Sequence, residues 1–298
     1  MTPGEASQTA QFVAMQRAYH HLFAPEPKLL EDSLAMALAG LPNADAVKAA
    51  MDGLCERFAA LGDADAVAGF LLQVEHAVCI RSRIAETRLL ERVGDDLQQL
   101  VILGAGLDTM AYRHAAELAD ISVFEVDHPD TQKLKRAALE RAGVEIPQNL
   151  EFVAFDFEHQ TLPQALEQSG IDPSLTTLMT WLGVHMYLDD ATVKATFEPL
   201  GKFAAGSELV MDFLPAEEPE WSDEAEESIA ELRQIVDQMG EPMKSRYTPA
   251  ELESRLTAAG FGKVQFLDAL QIVNRFLGGA RESFCMPDAA VSTLIARI

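Results

Sequence analysis

The four-residue apolar run Leu100-Val101-Ile102-Leu103 stops abruptly at Gly104-Ala105-Gly106. Short apolar runs bounded by glycine suit strands buried on both faces. The pattern then repeats. Residues 121–126, 152–155, 175–182 and 208–214 read as further strands, and residues 108–119, 129–142, 162–168 and 189–203 read as helices between them. Strands alternating with helices predict a parallel sheet covered on both faces. Pro129 suits the first turn of its helix. Residues 249–259 predict a helix stopped by Gly260, and residues 263–267 and 272–276 a late antiparallel strand pair. The expected class is α/β.

Ahead of residue 97 no strand is evident. Residues 8–21, 28–39, 45–61 and 65–93 read as helices; the last two are Ala-rich and free of proline. The chain thus divides into a helical N-terminal cap, residues 1–94, and a core, residues 95–298. Between residues 217 and 227 lie seven carboxylates, marking an acidic insertion near 215–245 that reads as a solvated segment or as a lid.

Composition narrows the function. The 298 residues carry 23 Lys and Arg against 47 Asp and Glu, a formal net charge of −24. That field repels phosphate backbones and anionic membrane surfaces, so neither nucleic acid nor membrane is the expected partner. No apolar run reaches a membrane-spanning length, and the first residues lack the features of a signal peptide. Cys55, Cys79 and Cys285 are widely spaced and odd in number, which fits a reduced cytoplasm better than a disulfide framework. With no H-E-x-x-H and no cysteine cluster, no metal is expected. No G-x-S-x-G occurs, which excludes a nucleophile elbow.

Gly104 and Gly106 sit where a strand passes into a helix, at the edge of an open sheet where ligands bind. The third glycine of the dinucleotide fingerprint is missing: Thr109 stands there. The second strand ends on Asp127, about twenty residues further on, where a carboxylate can accept from both ribose hydroxyls. Asp127 is equally well placed to cap the next helix. The third strand ends on Asp156-Phe157, an acid for an adenine amino group and a ring to cover the base. No basic residue stands beside the glycines to neutralise a pyrophosphate. This favours S-adenosylmethionine over a nicotinamide dinucleotide.

The run Val101-Ile102-Leu103-Gly104-Ala105-Gly106-Leu107-Asp108-Thr109-Met110-Ala111-Tyr112-Arg113 resembles the first motif of the leucine carboxyl methyltransferase-like family. Phe124-Glu125-Val126-Asp127-His128-Pro129 and Phe152-Val153-Ala154-Phe155-Asp156-Phe157 resemble its second and third. Arg81-Ser82-Arg83 and Gly183-Val184-His185-Met186-Tyr187-Leu188 are similar to two further segments. Weaker likeness extends to Thr9-Ala10, Arg17-Ala18 and residues 248–261.

The resemblance implies a Rossmann-like class I methyltransferase sheet that binds S-adenosyl-L-methionine. It assigns Arg81 to the methionine carboxylate, Gly104 and Gly106 to the methionine part, Asp127 to the ribose, and Asp156 and Phe157 to the adenine. Two positions depart from the family: Leu182 replaces a glutamate and Gln8 a lysine.

The implied reaction is O-methylation of a carboxyl or hydroxyl group on a small molecule. The alternative is a catalytically silent cofactor-binding protein of the same fold. A carboxylate acceptor needs no base, whereas a hydroxyl calls for one near the working pH. His185, past the fourth strand, is the candidate base and Tyr187 a candidate substrate contact; both equally suit packed core positions. His20 and His21 reach the pocket only if the N-terminal helices cover it.

Overall fold

The computed structural model describes residues 7–58, 64–157, 159–216, 230, 242–267, 269–277 and 292–298. Among these residues seven strands form one sheet in the order β3-β2-β1-β4-β5-β7-β6. They are β1 (Gln99–Leu103), β2 (Ser122–Asp127), β3 (Leu150–Ala154), β4 (Thr177–Trp181), β5 (Glu208–Phe213), β6 (Lys263–Leu267) and β7 (Ser292–Arg297). The first five are parallel, and β7 runs antiparallel to both β5 and β6.

The period of two along each strand divides the core. Leu100 and Ile102 of β1, Val123 of β2, Leu178 of β4 and Val210 of β5 face one apolar layer. Val101, Leu103, Phe124, Met179, Trp181 and Met211 face the other. On the first side lie α4 (Ala64–Arg92), α5 (Met110–Arg113) and α6 (Pro129–Ala142); on the second lie α7 (Leu162–Gln168), α8 (Asp190–Leu200) and the helix Pro249–Ala259. Ile80, Ile84 and Leu89 of α4 share one cluster with the sheet, so the N-terminal helices pack directly on it. The others are α1 (Gln8–Phe23), α2 (Ala35–Leu38) and α3 (Ala44–Arg57).

Local chemistry fixes the ends. The Ser7 hydroxyl caps α1 by accepting from the amide of Ala10, and Asn43 caps α3 in the same way through Ala46. Thr248 and Glu251 form a reciprocal capping box on the helix Pro249–Ala259.

Three expected elements differ. Residues 28–39 are not one helix: only Ala35–Leu38 is helical. Leu30 and Leu38 are buried as their spacing suggests, but the amide of Leu29 is spent on His20, and Asp32 accepts from the amides of Leu34 and Ala35. Side-chain acceptors thus take over amides that a helix would use. Of the helix read over 108–119, only Met110–Arg113 is helical. Residues 272–276 belong to a helix, Ala269–Phe276, and the partner of β6 is β7. Ile272 and Phe276 are four apart, a spacing compatible with both periods. Most of the acidic insertion, at 217–229 and 231–241, lies outside the described residues. Its exit is fixed beside β4: the amide of Lys244 donates to the carbonyl of Met186 at 2.6 Å.

Candidate active site

The carboxyl ends of β1, β2, β4 and β5 converge on one edge of the sheet. Gly104 and Gly106 follow β1 with φ of 65° and 47°, a left-handed conformation that glycine adopts freely. Their surroundings differ. A Cβ on Gly104 would lie 2.2 Å from Cγ2 of Val184, so its bareness admits the β4 turn rather than a ligand. Among the described residues, a Cβ on Gly106 would meet only Ala10 of α1, at 3.5 Å, and the Gly104 carbonyl.

Asp127 joins the two strand ends. The amide of Gly106 donates to its Oδ2, and the amide of His128 to its Oδ1 at 2.6 Å. Burial holds the carboxyl above its ordinary value, opposed by these two amides. A carboxylate offers about four lone-pair sites, so two remain for a diol. The helix-capping alternative falls to the next residue: His128 Nδ1 accepts from the amide of Asp130. Across the strand ends, His128 Nε2 stands 3.7 Å from Asp156, which also pairs with His159 at 2.7 Å. Phe157 packs edge-on to Phe155 and parallel to Trp181, at ring distances of 4.6 and 6.1 Å.

Arg81, on α4, reaches the same edge. Its Nη1 donates to Oδ2 of Asp212 on β5 at 2.8 Å. Oδ1 of Asp212 accepts from the amide of Gly183 at 2.6 Å. Asp212 is a residue of this edge that sequence reasoning passed over. Its one signal was a carboxylate interrupting the apolar β5 run Leu209-Val210-Met211.

His185 occupies a different place from that of a solvent-facing base. It is fully buried in the short 3-10 turn His185–Tyr187, between Trp181 and Tyr247. Neither ring nitrogen has a hydrogen-bond partner among the described residues. Burial lowers its pKa to about 4, against the pull of Asp212, so the ring is neutral at pH 7. Tyr187 is half-buried beside Met186, Leu214 and Met243. Glu125 points away from the edge, as strand alternation predicts. It pairs with Lys135 at 2.7 Å, both residues being 1% exposed, and burial pushes its pKa up to about 7 against the pull of that lysine.

Buried His20, Glu75 and His76 bring potential ligand atoms within 4.8 Å of one another. The amide of Leu29 donates to His20 Nε2 at 3.0 Å, which puts the ring proton on Nδ1, facing Glu75 at 2.8 Å. In that tautomer Nδ1 has no lone pair to offer a metal. The group ties residues 29–30 to α1 and α4.

A parallel sheet with an antiparallel β5-β7-β6 end, a glycine turn after β1 and an acid after β2 define a class I methyltransferase fold. The leucine carboxyl methyltransferase family model matches residues 10–201, and the chain belongs to that family. It is 28% identical over 295 residues to "Putative S-adenosyl-L-methionine-dependent methyltransferase YktD" of Bacillus subtilis, covering 95% of each chain. A Mycobacterium marinum protein of the same description is 28% identical over 70% of this chain and 66% of its own. Among solved structures, a methyltransferase-fold protein from Thermobifida fusca superposes with a TM-score of 0.56 at 20% identity, covering 89% of this chain and 92% of that one. A Bordetella parapertussis protein gives 0.53 at 16% identity, covering 100% and 99%. These two likenesses are of fold.

Proposed function

We propose that the protein transfers a methyl group from S-adenosylmethionine to an oxygen of a small molecule, with a carboxylate the favoured acceptor. The observation that carries the cofactor reading is the Asp127 carboxylate bound to the amide of Gly106 at the sheet edge, with acceptor capacity to spare. When bound, the cofactor supplies an activated methyl group on a sulfonium. Asp127 accepts from the ribose hydroxyls. Arg81 donates to the methionine carboxylate, a charge-assisted contact of fixed geometry. Asp156 and Phe157 frame the adenine. The N-terminal helices act as the cap, with Ala10 of α1 against Gly106 excluding water from the methionine end. Catalysis then rests on position and a dry pocket.

The acceptor preference follows from His185. A fully buried imidazole with a pKa of about 4 is a weak base at neutral pH. A carboxylate acceptor, already ionised, needs none. Calorimetric titration with S-adenosylhomocysteine, with NAD as control, tests the cofactor assignment. Binding of the former alone, lost in Asp127→Ala, is expected; unchanged affinity in that variant sinks the site assignment.

A second reading, a silent cofactor-binding protein, is favoured by Leu182, which packs against the apolar core where the family carries a glutamate. Cofactor binding without methyl transfer to any member of a broad acceptor panel would select it.

A further inference from the structure

Asp212 is 0% exposed on a strand whose neighbours Leu209, Val210, Met211 and Phe213 are all buried and apolar. A carboxylate at that depth is costly unless its oxygens are paired, and a buried ion pair rarely stabilises more than apolar side chains would. Stability alone therefore does not call for an acid here. Both oxygens are used, and on two parts of one construction. Oδ2 takes Nη1 of Arg81, and Oδ1 takes the amide of Gly183. Gly183 has a φ of 68°, and a Cβ there would lie 2.5 Å from Nη2 of Arg81. The guanidinium thus rests against a bare Cα. One carboxylate sets both the angle of the guanidinium and the turn beneath it.

We propose that Asp212 is a positioning residue for recognition of the cofactor's amino-acid carboxylate, acting through Arg81. The proposal rests on the methyltransferase reading above. Arginine presents five N–H donors in a planar fork. With Nη1 held by Asp212, the fork cannot swing, and its other donors keep one direction. The neighbouring carboxylate also offsets the guanidinium charge, so a ligand is selected by matching the fork rather than by charge alone. His185, in the turn after β4, is neutral at pH 7 and adds no charge to that balance.

The test compares two ligands that differ only at this end. S-adenosylhomocysteine carries the amino-acid carboxylate; methylthioadenosine keeps the nucleoside and thioether and lacks it. Both are titrated calorimetrically into the full chain, wild type and Asp212→Asn, with melting curves to establish folding. Asp212→Asn is expected to weaken S-adenosylhomocysteine about tenfold and to leave methylthioadenosine unchanged. In an Arg81→Gln background the same substitution should have no further effect on S-adenosylhomocysteine. Equal weakening of both ligands would mean a general structural role and overturn the proposal, as would no weakening of either. If Asp212→Asn does not fold, Asp212→Glu, which keeps the charge but displaces it, is expected to give the same selective loss. Wild-type protein that binds neither ligand would instead overturn the methyltransferase reading, and this proposal with it.

Discussion

Nη2 of Arg17 donates to the carbonyl of Leu107 at 2.6 Å, tying α1 to the turn that follows the glycines. The same guanidinium stands 3.0 Å from Asp32, which accepts from the Thr109 hydroxyl at 2.7 Å and lies 3.3 Å from Arg113. Arg113 in turn pairs with Glu86 of α4. The network joins α1, the 28–34 segment, α4 and the glycine turn. Removing Arg17 leaves the buried Asp32 carboxylate to Arg113 and Thr109, and breaking a buried charge network costs up to about 3–5 kcal/mol. Arg17→Met is expected to lower urea stability by about 3 kcal/mol and to weaken S-adenosylhomocysteine binding. A loss below about 1 kcal/mol would show that the network can be spared.

The same network should fail in acid. Burial pushes the Asp32 carboxyl up, but Arg17, Arg113 and Thr109 together hold it below its ordinary value. Glu86 is likewise lowered on balance, burial being outweighed by His114 and Arg113. A depressed folded pKa adds stability that is complete above the unfolded value, about 4, and fades as pH falls through the folded one. Urea unfolding from pH 7 down to pH 3 should show Asp32→Asn weaker at pH 7 and losing less on acidification than wild type. Parallel curves would contradict the assignment.

His185 predicts a separate window. Its folded pKa of about 4 lies below the ordinary histidine value, so the unfolded chain takes the proton first. The stability of the neutral ring is complete above about pH 6.5 and is lost as pH falls towards 4. An NMR titration should find this imidazole still neutral at pH 5.5. A midpoint near 6.5 would make His185 a competent base at neutral pH.

Gly104→Ala should lower the melting temperature by forcing apart the turns after β1 and β4. The new Cβ would lie 2.2 Å from Cγ2 of Val184, and the native φ of 65° is strained for alanine. Adding Val184→Ala relieves the clash but not the backbone strain, so the pair should recover stability only in part, read from melting temperature. Complete recovery would place the whole cost in the clash.

The buried Glu125–Lys135 pair should behave as an all-or-none unit. Glu125→Gln leaves a buried ammonium and should cost about 3 kcal/mol, whereas Glu125→Met with Lys135→Met should be neutral or stabilising. Equal losses in both variants, by urea unfolding, would argue that the pair itself is stabilising.

Strand positions were legible because burial on both faces demands continuous apolar runs, and these stand out at 100–103 and 209–211. The linkage of Asp127 to the Gly106 turn was half legible: the spacing pointed to the carboxylate, but the amides it holds appear only in three dimensions. The pairings of Arg17 with the Leu107 carbonyl and of Asp212 with Arg81 were not legible. Each joins residues far apart in sequence, and nothing local to one marks its partner. The misread segment at 28–34 failed for a related reason. Its leucines have helical spacing, yet His20 and Asp32 capture the amides that a helix would need.

The place of β7 has a consequence for the order in which the molecule comes together. The strand formed by residues 292–297 is interior, and among the described residues β6 is hydrogen-bonded into the sheet only through it. Five parallel strands can assemble from the chain up to Phe213, but β6 then waits, unpaired, for a segment some twenty-five residues beyond its end. A protein clipped ahead of Ser292 would therefore lose two strands rather than one, and would bare the edge of β5 to its neighbours.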